Sequence, residues 1–182
     1  ESIQDIKIYD HRSSLIVPGF VDTHLHFPQL QIIGSYATNL LDWLNTYTFI
    51  EEQKYNNLSH CKSMANQFFN TLINHGTTTA AVYCTIHPES VDAFFTESHR
   101  RNLLMIGGKV MMDREAPVKL LDTAQSGYDD TKKLIKRWHG LGRQLYAISP
   151  RFAITSTPQQ LEISKTLLNE HPDCYLQTHL SE

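Results

Sequence analysis

The stretch FVDTHLH, residues 20–26, decides how this chain is read. It is short, rich in β-formers and closed by a histidine, which reads as a β-strand. Side chains two apart on a strand share a face, so His24 and His26 point the same way, with Asp22 beside them. Two imidazoles held side by side in an interior are costly to bury. A divalent cation removes that cost by giving each nitrogen lone pair a partner, and Asp22 can hold the strand or a ligand from behind. On a wet strand the same two histidines are an ordinary solvated pair, because a bare HxH discriminates weakly.

Outward from that strand the pattern alternates. Residues 6–9 (IKIY) and 14–17 (SLIV) are strand-like pieces around a polar turn. A long connection runs from residue 27 to about 58, long enough that it must be functional or partly helical. Ser59 is placed to cap a helix carrying Met64, Phe68, Phe69, Leu72 and Ile73 at helical spacing, which Gly76 stops. Residues 78–86 form a strand, 88–101 a helix, 103–112 a strand, 128–140 a helix and 145–154 a strand. Residues 157–171 form a helix with Thr157 as cap and Pro158 in its first turn, and 174–181 a last strand.

Strands alternating with helices, most of them near-continuous apolar runs, argue for a parallel α/β sheet covered by helices. An open doubly wound sheet and a (β/α)₈ barrel both fit that order. The first turn lacks the glycine-rich phosphate loop of a dinucleotide fold, and polar residues gather at strand C-termini, where barrel chemistry sits. The expectation is a TIM-like barrel of which only the first five βα units are present. Residues 1–17 are expected to be a remnant of a small β domain and 18–182 the partial barrel, so the chain is expected to be a piece of a longer polypeptide.

Composition excludes several function classes. Of the 182 residues 41% are hydrophobic and 19% charged, with a net charge of −3, so no general attraction to nucleic acid is expected. No apolar run reaches membrane-spanning length, and the polar start lacks the features of a secretion signal. The one dense basic stretch, Lys132, Lys133, Lys136 and Arg137, reads as a solvated helix face. Three scattered cysteines, Cys61, Cys84 and Cys174, make neither a disulfide framework nor a Cys-rich zinc site; they read as reduced, buried thiols of a cytoplasmic protein.

His179 lies on the last strand, with Glu182 three residues beyond. A histidine with a nearby carboxylate suits metal-assisted hydrolysis, in which the cation activates water at neutral pH and the carboxylate carries the proton. Taken alone, His179 would be a satisfied core histidine, Glu182 an exposed residue, Arg151 a surface ion-pair residue and Phe152 a core residue. His75 reads as a helix C-terminal residue beside Gly76.

Five stretches, in order along nearly the whole chain, carry a family resemblance: PGFVDTHLHFPQ (18–29), LLDWLNTYTF (40–49), HGTTTA (75–80), SPRFAITS (149–156) and LQTHLSE (176–182). Together they resemble the guanine deaminases of the amidohydrolase superfamily. The resemblance implies a metal-dependent hydrolase barrel with a small β domain. It implies one Zn²⁺ per subunit held by His24, His26 and His179, with Glu182 as proton shuttle. Gln29, Arg151 and Phe152 correspond to residues that hold the purine, and Trp43 is a possible pocket wall. The implied reaction is hydrolytic deamination of guanine to xanthine and ammonia, by a cytoplasmic homodimer with no nucleic-acid or membrane partner. The family supplies one more histidine from strand six and an aspartate from strand eight, and neither lies in this sequence. The isolated chain is therefore expected to be inactive. A related amidohydrolase acting on another aminopurine or heterocycle, or a non-catalytic metal-binding piece, is the alternative. The H-x-E and P-C-x-x-C pattern of the unrelated zinc deaminases is absent.

Overall fold

The computed structural model describes residues 6–180. Its strands are β1 (Phe20–His26), β2 (Thr77–Tyr83), β3 (Leu104–Gly108), β4 (Val110–Met111), β5 (Gln144–Pro150) and β6 (Tyr175–Leu176). All pair in parallel. β3 and β4 keep one register against β5, with Ile106 opposite Leu145 and Val110 opposite Ser149. They are one strand interrupted at Lys109, and residues 103–112 read from sequence as that single strand.

The strands therefore stand in chain order, β1, β2, β3/β4, β5, β6. A doubly wound sheet reverses its strand order at a switch point; this sheet does not, and that separates the barrel reading from its competitor. The long helices α3 (Leu58–Asn74), α4 (Pro88–Arg100), α5 (Ala124–Trp138) and α6 (Pro158–Glu170) follow successive strands. Each packs against the next, as staves of an outer ring do.

Local signals place these helices, with two corrections. The cap of α3 is Asn57 rather than Ser59: its side-chain oxygen accepts from the His60 N–H at 3.1 Å. Helix α5 starts at Ala124 rather than near 128, because Thr123 and Ser126 cap each other's backbone N–H groups. Thr157 caps α6 with Pro158 in the first turn, as read. Gly76 takes φ +82° to end α3, and the His75 ring donates from Nδ1 to the Thr71 carbonyl at 2.8 Å. The basic face of α5 is solvated and paired, Lys132 with Glu170 and Arg137 with Asp92.

The main core lies between sheet and helices, built on Phe27, Phe68, Phe69, Phe94, Phe95 and Trp138. A second cluster, including Leu44, Phe49, Tyr83, Met112 and Phe152, gathers at the C-terminal ends of the strands. All three cysteines are buried and unpaired. No helix of the described residues is long and apolar enough to cross a membrane.

Residues 6–9 and 14–17 depart from expectation. They form no strand, and Ile6, Ile8, Leu15, Ile16 and Val17 are exposed. Among the described residues no strand is available to pair with them, and an isolated hairpin is at best marginal in water. The long connection is partly helical as expected, with α1 (Leu40–Trp43), α2 (Phe49–Glu52) and a π-helical turn between them at Leu44–Thr48.

Gly108 sits at the strand interruption, where a Cβ would lie 2.0 Å from the Ala147 carbonyl oxygen. Backbone cannot yield as a side-chain tip can. Gly108→Ala should therefore lower stability by about 1–3 kcal/mol, read as a lower urea-unfolding midpoint at unchanged slope.

Candidate active site

Three imidazoles converge at the C-terminal mouth of the sheet. His24 and His26 come from β1, and His179 from just beyond β6. Their ring centroids are 5.0–5.2 Å apart pairwise. Each can offer a nitrogen within 4.8 Å of the other two. His26 Nε2 lies 3.0 Å from His179 Nε2. His24 falls where the pairing of β1 with β2 is irregular, between Asp22 and Leu25, yet the His24 and His26 rings still lie side by side, as their spacing predicted.

The hydrogen bonds around these rings define what each can offer. The backbone N–H of His179 donates to the Arg151 carbonyl at 2.9 Å, and its ring Nδ1 to the same oxygen at 2.8 Å. A carbonyl only accepts, so the proton of the neutral ring is on Nδ1 and the lone pair of Nε2 faces His26. His26 Nδ1 is buried with no hydrogen-bond partner. Burial, then the charge of Arg151 and the neighbouring titratable rings of His179 and His24, hold the His26 ring well below its usual pKa. It is therefore held neutral, the form in which imidazole binds a cation. A proton on His26 Nε2 satisfies this contact as a hydrogen bond to the His179 lone pair, and a cation taken up by both Nε2 atoms replaces that proton. Nitrogen donors on a tetrahedral zinc at bond lengths of 2.0–2.1 Å are about 3.3 Å apart, close to the separation seen. The donor set fits a zinc-like cation.

Asp22 acts from behind: its carboxylate accepts from the His24 backbone N–H at 3.0 Å and holds the strand rather than a ring. Tyr83, at the end of β2, was not picked out from sequence. Its ring stacks on His26 and His179, with centroids 4.8 and 4.4 Å away, and floors the site. Only the apolar run of β2 announced it, and nothing in that run marks one residue as the floor.

A cleft of about 470 Å³ opens beside the histidines. Its lining brings together every other described site residue read from sequence: Gln29 and Trp43 from the long connection, and Arg151 and Phe152 from the end of β5. Leu30, Leu40 and Leu44 make the remaining wall apolar. Trp43 donates from its indole nitrogen to Ser35 Oγ at 3.0 Å, which fixes it as that wall. Arg151 is buried, not a surface residue; its Nη1 meets both carboxylate oxygens of Glu52, at 2.7 and 3.0 Å. Glu52 also escaped the sequence reading, since its partner lies 99 positions away. Glu182 lies outside the described residues.

His139, Asp173 and Cys174 form another group with metal-ligand types. They precede β5 and β6, at the opposite end of the strands. His139 Nδ1 accepts from the Tyr146 N–H at 2.9 Å, so the neutral ring carries its proton on Nε2, which faces Asp173 at 3.2 Å. That ring has no free lone pair for a cation, and Nε2–H···carboxylate is a sufficient account of the contact.

Residues 15–182 match the amidohydrolase family. The chain is 52% identical to the guanine deaminase of Escherichia coli (strain K12) over 177 residues, covering 97% of this chain and 40% of that protein. A crystal structure of guanine deaminase from Bradyrhizobium japonicum, 40% identical, superposes with a TM-score of 0.89 over 91% of this chain and 36% of its own. One from C. acetobutylicum with bound guanine in the active site, 29% identical, gives 0.85 over 91% of this chain and 40% of its own. The chain thus spans about 40% of the length of the curated relatives it matches.

The site predicts selective metal binding. Equilibrium dialysis should find one Zn²⁺ per chain at neutral pH. His26→Ala and His179→Ala should each weaken it at least tenfold, whereas His139→Ala should leave it unchanged.

Proposed function

Because this chain belongs to the amidohydrolase family, we propose that it supplies the metal-binding and purine-binding part of a guanine deaminase. One observation carries the reading: His24, His26 and His179 meet at the end of the same cleft that Gln29, Arg151 and Phe152 line. A purine fits a cleft of about 470 Å³.

In this reading His24, His26 and His179 hold Zn²⁺. When bound, the ion supplies Lewis-acid activation of water at neutral pH. The chain's residues do the rest. Arg151 donates an N–H to the oxo group of guanine, a fixed donor that an oxo oxygen accepts and an amino group cannot. Gln29 carries both a donor and an acceptor for the base edge. Phe152 and the leucines exclude water from the ring faces. Glu182 is assigned the proton transfer to the ring and the leaving ammonia. The Arg151 backbone oxygen orients His179 while its guanidinium reads the base, so one residue couples ligand geometry to substrate.

The activity is assigned to the longer polypeptide that such relatives represent, in which a further histidine and an aspartate complete the set. A cytoplasmic location fits three buried, unpaired thiols. The exposed apolar residues 6–17 fit a small β domain completed by other parts of that polypeptide.

The full-length protein, zinc-loaded, should release xanthine and ammonia from guanine, followed by chromatography and an ammonia-coupled assay. Arg151→Ala should lower kcat/KM for guanine by about 10- to 150-fold, the worth of one hydrogen bond to a charged group. Absence of turnover by the wild type would reject the proposal.

A further inference from the structure

We infer that Glu52 is the residue that positions Arg151 and sets the pocket's preference for an uncharged oxo group; this deepens the guanine reading and rests on it. Glu52 ends α2 and is fully buried, and Arg151 is 3% exposed. Both carboxylate oxygens converge on Nη1 of Arg151. Glu52 thus takes neither Nη2 nor Nε, and the guanidinium keeps N–H donors for the cleft that Arg151 lines. Phe49, three residues earlier on α2, places its ring 5.5 Å from the guanidinium carbon. One short helix therefore fixes the cation by charge on one side and by a ring on the other.

An ion pair this deep is a poor device for stability alone, because well-packed apolar residues of the same volume serve equally well. Its placement gives it another use. Helix α2 continues the connection that supplies Gln29, Leu40, Trp43 and Leu44 to one wall of the cleft, and Arg151 belongs to the facing end of β5. The pair ties the two walls at the point where the base edge would be read. It also offsets much of the charge of Arg151 on the side of the cleft. A bare buried guanidinium would favour an anionic ligand; paired with Glu52, it presents N–H donors as part of a neutral ion pair, which suits a neutral carbonyl.

The test uses the zinc-loaded full-length protein. It compares kcat/KM for guanine with the inhibition constant of 2,6-diaminopurine, in which an amino group replaces the oxo group. Glu52→Gln should lower kcat/KM for guanine by about ten- to a hundredfold. It should leave the diaminopurine inhibition constant within about threefold, since that ligand makes no use of an aligned Arg151 donor. Glu52→Gln added to Arg151→Ala should cost nothing further on guanine, as expected of residues acting as a unit. Equal loss for both ligands, or losses that multiply in the double variant, would overturn the positioning role while leaving the deaminase reading intact. A wild type that does not deaminate guanine would overturn both. Should Glu52→Gln fail to fold by circular dichroism, Glu52→Asp draws the charge back by one methylene and is judged by the same comparison.

Discussion

The site depends on the curl of the sheet. β1 and β6 are separated by two intervening strand positions and β5, four steps of about 4.8 Å, so in a flat sheet they would stand about 19 Å apart. Yet His26 Nε2 and His179 Nε2 are 3.0 Å from each other. Curvature accumulated over the parallel strands brings the rings together, and Tyr83, from the second strand, fills the space beneath them. The same curvature turns the strand C-termini inward, so the second apolar cluster and the cleft form at one mouth.

Arg151 joins that geometry to the cleft. Its carbonyl accepts two hydrogen bonds from His179 and fixes which nitrogen of the ring is free. Its side chain points into the cleft and is held by Glu52. A shift of β5 would move the His179 ring and the Arg151 guanidinium together. The wall opposite comes from the long connection, whose short helical turns place Trp43 and Leu44 without a strand of their own.

Much of this was legible in the sequence, and the exceptions have physical reasons. The five strand positions and the four long helices follow from apolar runs and periodicity: the central strands β2, β3/β4 and β5 are largely buried and each helix buries one stripe, while β1 and the two-residue β6 at the edges are mostly exposed. His24 and His26 were legible because strand geometry alone puts them on one face. Cap positions slipped where two polar residues compete: Asn57 took the role read for Ser59, and Thr123 with Ser126 began α5 early. The strand-like pieces at residues 6–9 and 14–17 form no strand, since β propensity is realised only against a partner strand. Glu52 and Tyr83 were invisible because their roles depend on partners far along the chain, with no local spacing to announce them. The roles of Gln29, Phe152 and Arg151 came from resemblance; their shared cleft is what the fold adds.

The central claim is that three imidazoles, two from the first strand and one from beyond the last, share a single cation. X-ray absorption at the zinc edge on the zinc-loaded chain tests it most directly. The account predicts a first shell of nitrogen and oxygen scatterers at about 2.0–2.1 Å with the outer-shell pattern of several imidazoles. A shell of sulfur at about 2.3 Å, or a spectrum without imidazole scattering, would contradict it.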